Sequence, residues 1–205
     1  MQTKVLIPIR RIAALACAAV VALGLWAEAG QVHLAQQVVR LHVLAASNGA
    51  EDQALKLRVR DAVLAESARL LDGQADADGA AAVLDAHRTE LACAASRAVA
   101  EAGADRQVTV SLTESWFPTR RYGDVALPAG TYRALRVALD EGAGRNWWCV
   151  VFPSLCREPV TEPAARAVGL TGPDWSLLTE DGGRYAVRFR AAEGWAAVQR
   201  WLGGA

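Results

Sequence analysis

The spacing of apolar positions changes several times along the chain, and each change predicts an element. Ile12 to Ala27 is an uncharged apolar run. Val38 to Ala45 is a shorter one, interrupted only by Arg40 and His42, and reads as a strand. Ser47-Asn48-Gly49 then turns the chain, and Asn48 with Glu51 three residues later forms a capping-box pattern that opens a helix over Glu51–Leu71. Leu55, Val59, Ala62 and Val63 recur at helical spacing as its buried stripe, which leaves Lys56, Arg58, Arg60 and Asp61 largely on the wet side. After an acidic loop over Gly73–Gly79, a second helix is predicted from Ala80 to Ala102. Leu84, His87, Leu91, Ala95 and Ala98 share one of its faces, Cys93 lies off that stripe, and Gly103 is the stop.

From Gln107 the period becomes two. Val108, Val110 and Leu112 alternate with Thr109, Ser111 and Thr113 as a half-buried strand that ends at Trp116-Phe117-Pro118. A loop to Tyr122-Gly123 and a turn at Leu127-Pro128-Ala129-Gly130 lead into a strand over Tyr132–Leu139. Glu141 to Asn146 reverses the chain, and Trp147–Phe152 is apolar on both faces, so the pair reads as a hairpin whose second strand is central in a sheet. Residues 157–184 form a Pro-, Gly- and acid-rich connector. Tyr185, Val187 and Phe189 then alternate as a last strand, and Trp195, Val198 and Leu202 recur as a last helix. The expected fold is α+β, a small mixed or antiparallel sheet packed against two helices. Its parts are an export segment at 1–29, the domain at 30–156, the connector at 157–184, and a strand-helix unit at 185–205 that packs on the domain.

Charge changes the picture at the amino end. Over the whole chain 22 Lys and Arg balance 22 Asp and Glu, which opposes a nucleic-acid binder that works through bulk positive charge. Three of those cations, Lys4, Arg10 and Arg11, precede the apolar run, and only one acid, Glu28, falls before residue 30; the remainder is mildly acidic. A basic start, an apolar run and Ala27-Glu28-Ala29 fit a secretory signal cut after Ala29. A retained membrane anchor over 12–27 is the second reading, and a buried core helix the third. In either of the first two, the domain is extracytoplasmic, and the membrane is touched only through the export segment. Cys149 and Cys156 can then bridge if Pro153 turns the chain between them, or stay as two reduced, buried thiols; Cys93 is left odd.

Candidate chemistry adds little. Cys149 and His42 form the best nucleophile–base pair, the basis of a secreted Cys/His hydrolase as an alternative function, although packing roles explain both more simply. Glu51-Asp52 suits a helix start. Gly142-Ala143-Gly144-Arg145 resembles a phosphate loop only weakly, because it joins two strands. The spacing of Cys and His offers no metal site. Trp147 and Trp148 must point to opposite faces of their strand, one into a core and one toward a second layer or partner. No catalytic residue, metal or cofactor is expected.

Several blocks remain without a catalytic explanation. One runs from Arg40 through His42 and Ser47 to Asn48; the next holds Glu51, Asp52, Gln53, Lys56, Arg58, Arg60 and Asp61. Leu127-Pro-Ala-Gly-Thr-Tyr132, Ala134-Leu-Arg-Val137 and Gly144-Arg-Asn146-Trp147-Trp148-Cys149 through Cys156 complete the set. In this order the blocks resemble the stage II sporulation protein R family of endospore-forming bacteria over about residues 35–156. The resemblance implies a non-enzymatic signalling protein exported from the forespore into the space between forespore and mother-cell membranes. There it would activate a membrane-embedded aspartic protease that processes the precursor of sigma-E. The residues named in the Arg40–Asp61 and Asn146–Trp148 blocks would then supply the partner contact. An anchored cell-envelope structural protein is the other alternative.

Overall fold

The computed structural model describes residues 32–122 and 125–154, with a few isolated positions between 11 and 22. Most of the predicted export segment, Cys156, the connector and the final strand and helix lie outside the described residues. No helix among the described residues is long and apolar enough to cross a membrane.

The domain is α+β. Strand β1 (Val39–Leu44) leads to helices α1 (Ala50–Leu70), α2 (Ala77–Ala86) and α3 (Arg88–Glu101). These are followed by β2 (Val108–Phe117), a small hairpin of β3 (Arg120–Tyr122) and β4 (Val125–Leu127), then β5 (Gly130–Leu139) and β6 (Asn146–Phe152). The sheet order is β2-β5-β1-β6, with β1 parallel to β5 and antiparallel to β6. The predicted hairpin of the last two strands is therefore corrected. β1 sits between them, and β6 is an edge strand among the described residues. Sequence made Trp147–Phe152 look central because it is apolar throughout, whereas Arg40 and His42 disguised β1. Yet all six residues of β1 are buried, as expected for a strand covered on both faces.

Alternation divides the sheet's side chains between two cores. Val39, Leu41 and Val43, with Leu135, Val137, Leu139, Cys149 and Val151, face the helices, against Leu55, Val59, Val63, Leu84 and Leu91. Each such side chain contributes about 1.5–3 kcal/mol on burial. Tyr132, Ala134, Val150 and Phe117 face the other way and pack with Leu34, Val38 and Leu127. The β3–β4 hairpin, read from sequence as a loop, borders this second core.

The helices depart from expectation at several places. Asn48 does not cap α1: the cap position is Gly49, which makes no side-chain capping bond. The second predicted helix is two, broken at His87, whose φ of −104° and ψ of 23° leave the helical basin. There the ring Nδ1 lies 2.8 Å from the Val83 carbonyl, a local bond of the kind that competes with helix continuation. His87 is half-exposed and not a core-face residue. Helix α2 also starts earlier than predicted, because Asp76 caps it by accepting from the Gly79 N–H at 2.7 Å. Finally, Ala62 is only half-buried, while Lys56, predicted to be wet, is buried.

Candidate functional site

The blocks at Arg40–Asp61 and Gly144–Trp148, about a hundred residues apart, meet at one end of the sheet. The chain leaving β5 must cross the end of β1 to reach β6, a step of two strand spacings, about 10 Å. It does so in contact with the turn after β1. Gly144 donates to the Ala45 carbonyl at 2.8 Å, and the Asn48 side chain accepts from the Arg145 N–H at 2.9 Å. Asn48 thus serves the second loop in place of its own helix. Gly142 takes a φ of +68° close against Leu44, and a Cβ at Gly144 would lie 2.2 Å from the Ser47 carbonyl oxygen.

Polar side chains complete this junction. The Ser47 hydroxyl donates to Asp52 Oδ2 at 2.5 Å and accepts from the Gly49 N–H at 3.0 Å. Gln53 donates to the Ser47 carbonyl. Lys56 donates to Gln53 Oε1 at 2.7 Å and to the Arg145 carbonyl at 2.9 Å, and it has no carboxylate partner among the described residues. Burial pushes the Lys56 ammonium down from its ordinary pKa, and the cations Arg145 and Arg60 add to this. Asp52 moves below the usual carboxylate range, chiefly through the Ser47 hydroxyl, with Arg106 assisting against burial. Arg106, which sequence reasoning missed, bridges Asp52 at 3.0 Å and Asp140 at 3.2 Å. Its signal could have been the lone cation at the start of β2, opposite the acid that ends β5.

Arg40 and His42 occupy the sheet face away from the helices. Arg40 is fully buried, its guanidinium 4.1 Å from the centre of the Phe117 ring and 4.8 Å from that of Tyr132. It donates to the Tyr122 hydroxyl at 2.7 Å and to the Cys149 carbonyl at 3.4 Å. No carboxylate pairs with it among the described residues, and Nη1 has no hydrogen-bond partner there. Burial lowers its pKa despite the two tyrosines. Phe117, Tyr122 and Tyr132 were invisible as a cage in sequence, since only folding gathers them. A cation inside a dry core is stabilised here by ring faces.

His42 stacks on Trp148 with centroids 3.9 Å apart and meets Phe117 edge-on. Its Nε2 lies 3.0 Å from Asn146 Oδ1, so the ring donates from Nε2. Cys149 does not join it. The register sets His42 opposite Trp148 and Leu41 opposite Cys149, which puts the two side chains on opposite sheet faces. The Cys149–His42 dyad of the alternative reading does not form, in line with the packing roles preferred for both residues. Burial holds the His42 pKa below its ordinary value, Arg136 adds to this, and the Asn146 bond opposes it. A histidine whose folded pKa is depressed contributes full stability above its unfolded pKa. That stability is lost as pH falls from there to the folded pKa. Chemical denaturation between neutral and mildly acid pH should therefore show a loss that His42→Gln flattens; an unchanged slope would refute the assignment.

The remaining motif residues separate. Glu51 and Arg58 line a cleft of about 570 Å³ with Asp105 and Arg106. Arg60 instead lies over Trp147, 4.4 Å from the ring centre, and pairs with Asp61 at 2.7 Å. Trp147 and Trp148 do point to opposite faces, as predicted. Cys93 is exposed; Cys149 is buried, and its expected partner lies outside the described residues. No group of three His, Cys, Asp or Glu that could hold a metal occurs among the described residues.

Fold and site together define an α+β domain whose polar residues tie two loops together beside a caged, buried arginine. The family described as Stage II sporulation protein R matches residues 35–162, and the chain belongs to that family. Stage II sporulation protein R of Bacillus subtilis (strain 168) is 36% identical to it over 125 residues, 61% of this chain and 56% of that protein. The match thus spans little more than half the length of the relative. No solved structure matches.

Proposed function

We propose that the chain is an exported sporulation signalling protein that works by binding and is not an enzyme. Its partner is a membrane-embedded aspartic protease, which it activates to process the sigma-E precursor in the space between forespore and mother cell. The observation that carries this reading is family membership over the motif-bearing region. Two features support it: the basic start before Ile12–Ala27 fits export, and the separation of His42 from Cys149 removes the best nucleophile–base pair the sequence offered. Activation is then a shift in the protease's conformational or dimeric equilibrium, driven by differential binding. Arg40, His42, Asp52 and Lys56 are buried and hold the fold together, so contact falls to the exposed part of the turn and helix after β1, with Glu51, Arg58 and Arg60, and to the Trp147 face of β6.

Co-expression of the candidate protease and sigma precursor should give precursor cleavage only when this protein is present and exported. Reversing both Arg58 and Arg60 to Glu, in a protein still exported and folded, should abolish that cleavage; undiminished cleavage would sink the contact assignment. Export also favours pairing of Cys149 with Cys156, which closes a short loop and stabilises by roughly 2–3 kcal/mol on the chain-entropy model. Mass spectrometry of the non-reduced protein should find neither thiol alkylated, and alkylation of both would remove the bridge.

A further inference from the structure

We propose that the ridge where α1 meets β6, built on Arg60 and Trp147, docks an acidic segment of a partner protein that carries an aliphatic anchor. The inference rests on the reading above only in taking the protease as the owner of that segment.

Trp147 is exposed over about a third of its surface, on β6, with the Arg60 guanidinium laid across its ring. Leu57, one turn earlier on α1, is equally exposed and lies on the same side of the helix as Arg60. Arg145, exposed in the loop just before β6, stands two residues ahead of Trp147 and acts electrostatically on the same Lys56 as Arg60 does. Lys56 lies beneath, within electrostatic reach of both arginines and satisfied only by neutral acceptors among the described residues. Asp61, paired with Arg60, is the carboxylate that ion-pairs with this group. One cation therefore lies on the exposed ring near an exposed leucine, with two more cations in electrostatic reach of one another and of it, on a domain whose overall balance is mildly acidic. The clustering is local and does not follow from composition.

Such a surface complements negative charge with an apolar residue between the charges. Tryptophan and arginine dominate binding energy at protein interfaces, and here rigid elements hold both, so little order is lost on docking. The buried Lys56 adds positive potential without a counter-ion, which favours an acidic partner and strengthens encounter at low salt. The acidic total of the domain disfavours a nucleic acid as the occupant.

The test uses the exported form of the full chain and a fluorescent peptide of alternating Glu and Leu, followed by anisotropy. Binding should be seen for this peptide and be lost for a Lys/Leu counterpart. Arg60→Glu, Trp147→Ala and Arg145→Glu should each weaken it at least about tenfold, and added salt should weaken it further. Arg97→Glu on α3 should leave it unchanged. If Trp147→Ala fails to fold by circular dichroism, Arg145→Glu, on an exposed residue, carries the test. Equal binding of the Lys/Leu peptide, equal binding of single-stranded DNA, or indifference to the Arg60 and Arg145 changes would overturn the inference. Wild-type protein that binds the peptide yet never promotes precursor cleavage would refute the protease reading and leave this site standing. Loss of peptide binding in Arg60→Glu with cleavage intact would refute its use in activation.

Discussion

Arg40→Ala is expected to lower the stability of the domain by about 3 kcal/mol, whereas Arg40→Met should change it by less than about 1 kcal/mol or raise it. Both variants remove the charge, so the contrast between them isolates packing, and the methionine variant against the wild type shows what the charge is worth. Alanine leaves a void among Phe117, Tyr122 and Tyr132, and those rings lose their packing on one side. Methionine fills most of that space. Against the loss of ring contacts stands a relief: the buried guanidinium has no carboxylate partner and one unbonded nitrogen among the described residues, and its surroundings depress its pKa. Tyr122 keeps its bond to the Trp148 carbonyl at 3.2 Å in either variant. Guanidinium denaturation midpoints decide the matter. Equal destabilisation by Met and Ala would mean that the cation itself, through its rings and hydroxyl, stabilises the fold.

Gly144→Ala is expected to cost about 2–4 kcal/mol and to open the junction between the two loops. The new Cβ would meet a backbone oxygen at 2.2 Å, and no flexible side chain can give way. Moving the loop breaks the Gly144 bond to Ala45 and, with it, the Arg145 contacts to Asn48 and Lys56. Gly73 is the control. Its φ of +77° is left-handed, unlike that of Gly144, but nothing lies near its Cβ position, so Gly73→Ala should cost only about 1–2 kcal/mol. Denaturation midpoints for the two variants, with amide exchange at Arg145, measure the difference. A Gly144→Ala cost no greater than that of Gly73→Ala would show that the loops are not held by this approach.

Much of the fold was legible because periodicity reports burial directly. The first helix, the alternating β2 and the apolar strands at 132–139 and 147–152 stand close to their predicted places. Misreadings came where a polar residue was buried or a side chain bonded locally. Arg40 and His42 hid the central place of a strand that was itself legible, and Lys56 looked wet because lysine usually is. His87 looked like one core position of a long helix, yet its ring bonds back to Val83 where one helix ends and another begins. The motif residues were legible as a set, but their division was not. Arg58 and Arg60 are neighbours in sequence, and the helical turn sends one to the cleft beside Arg106 and the other to Trp147.

By itself the sequence determined the α+β class, the apolar faces, the export-like start and the family, since all of these are written in local spacing and residue order. Tertiary structure alone decided which strand is central, that Cys149 and His42 point apart, and that two distant loops close on Asn48, Lys56 and Gly144. Those outcomes depend on register and strand order, which are set by long-range pairing and packing of both sheet faces at once, and no local window of residues contains them.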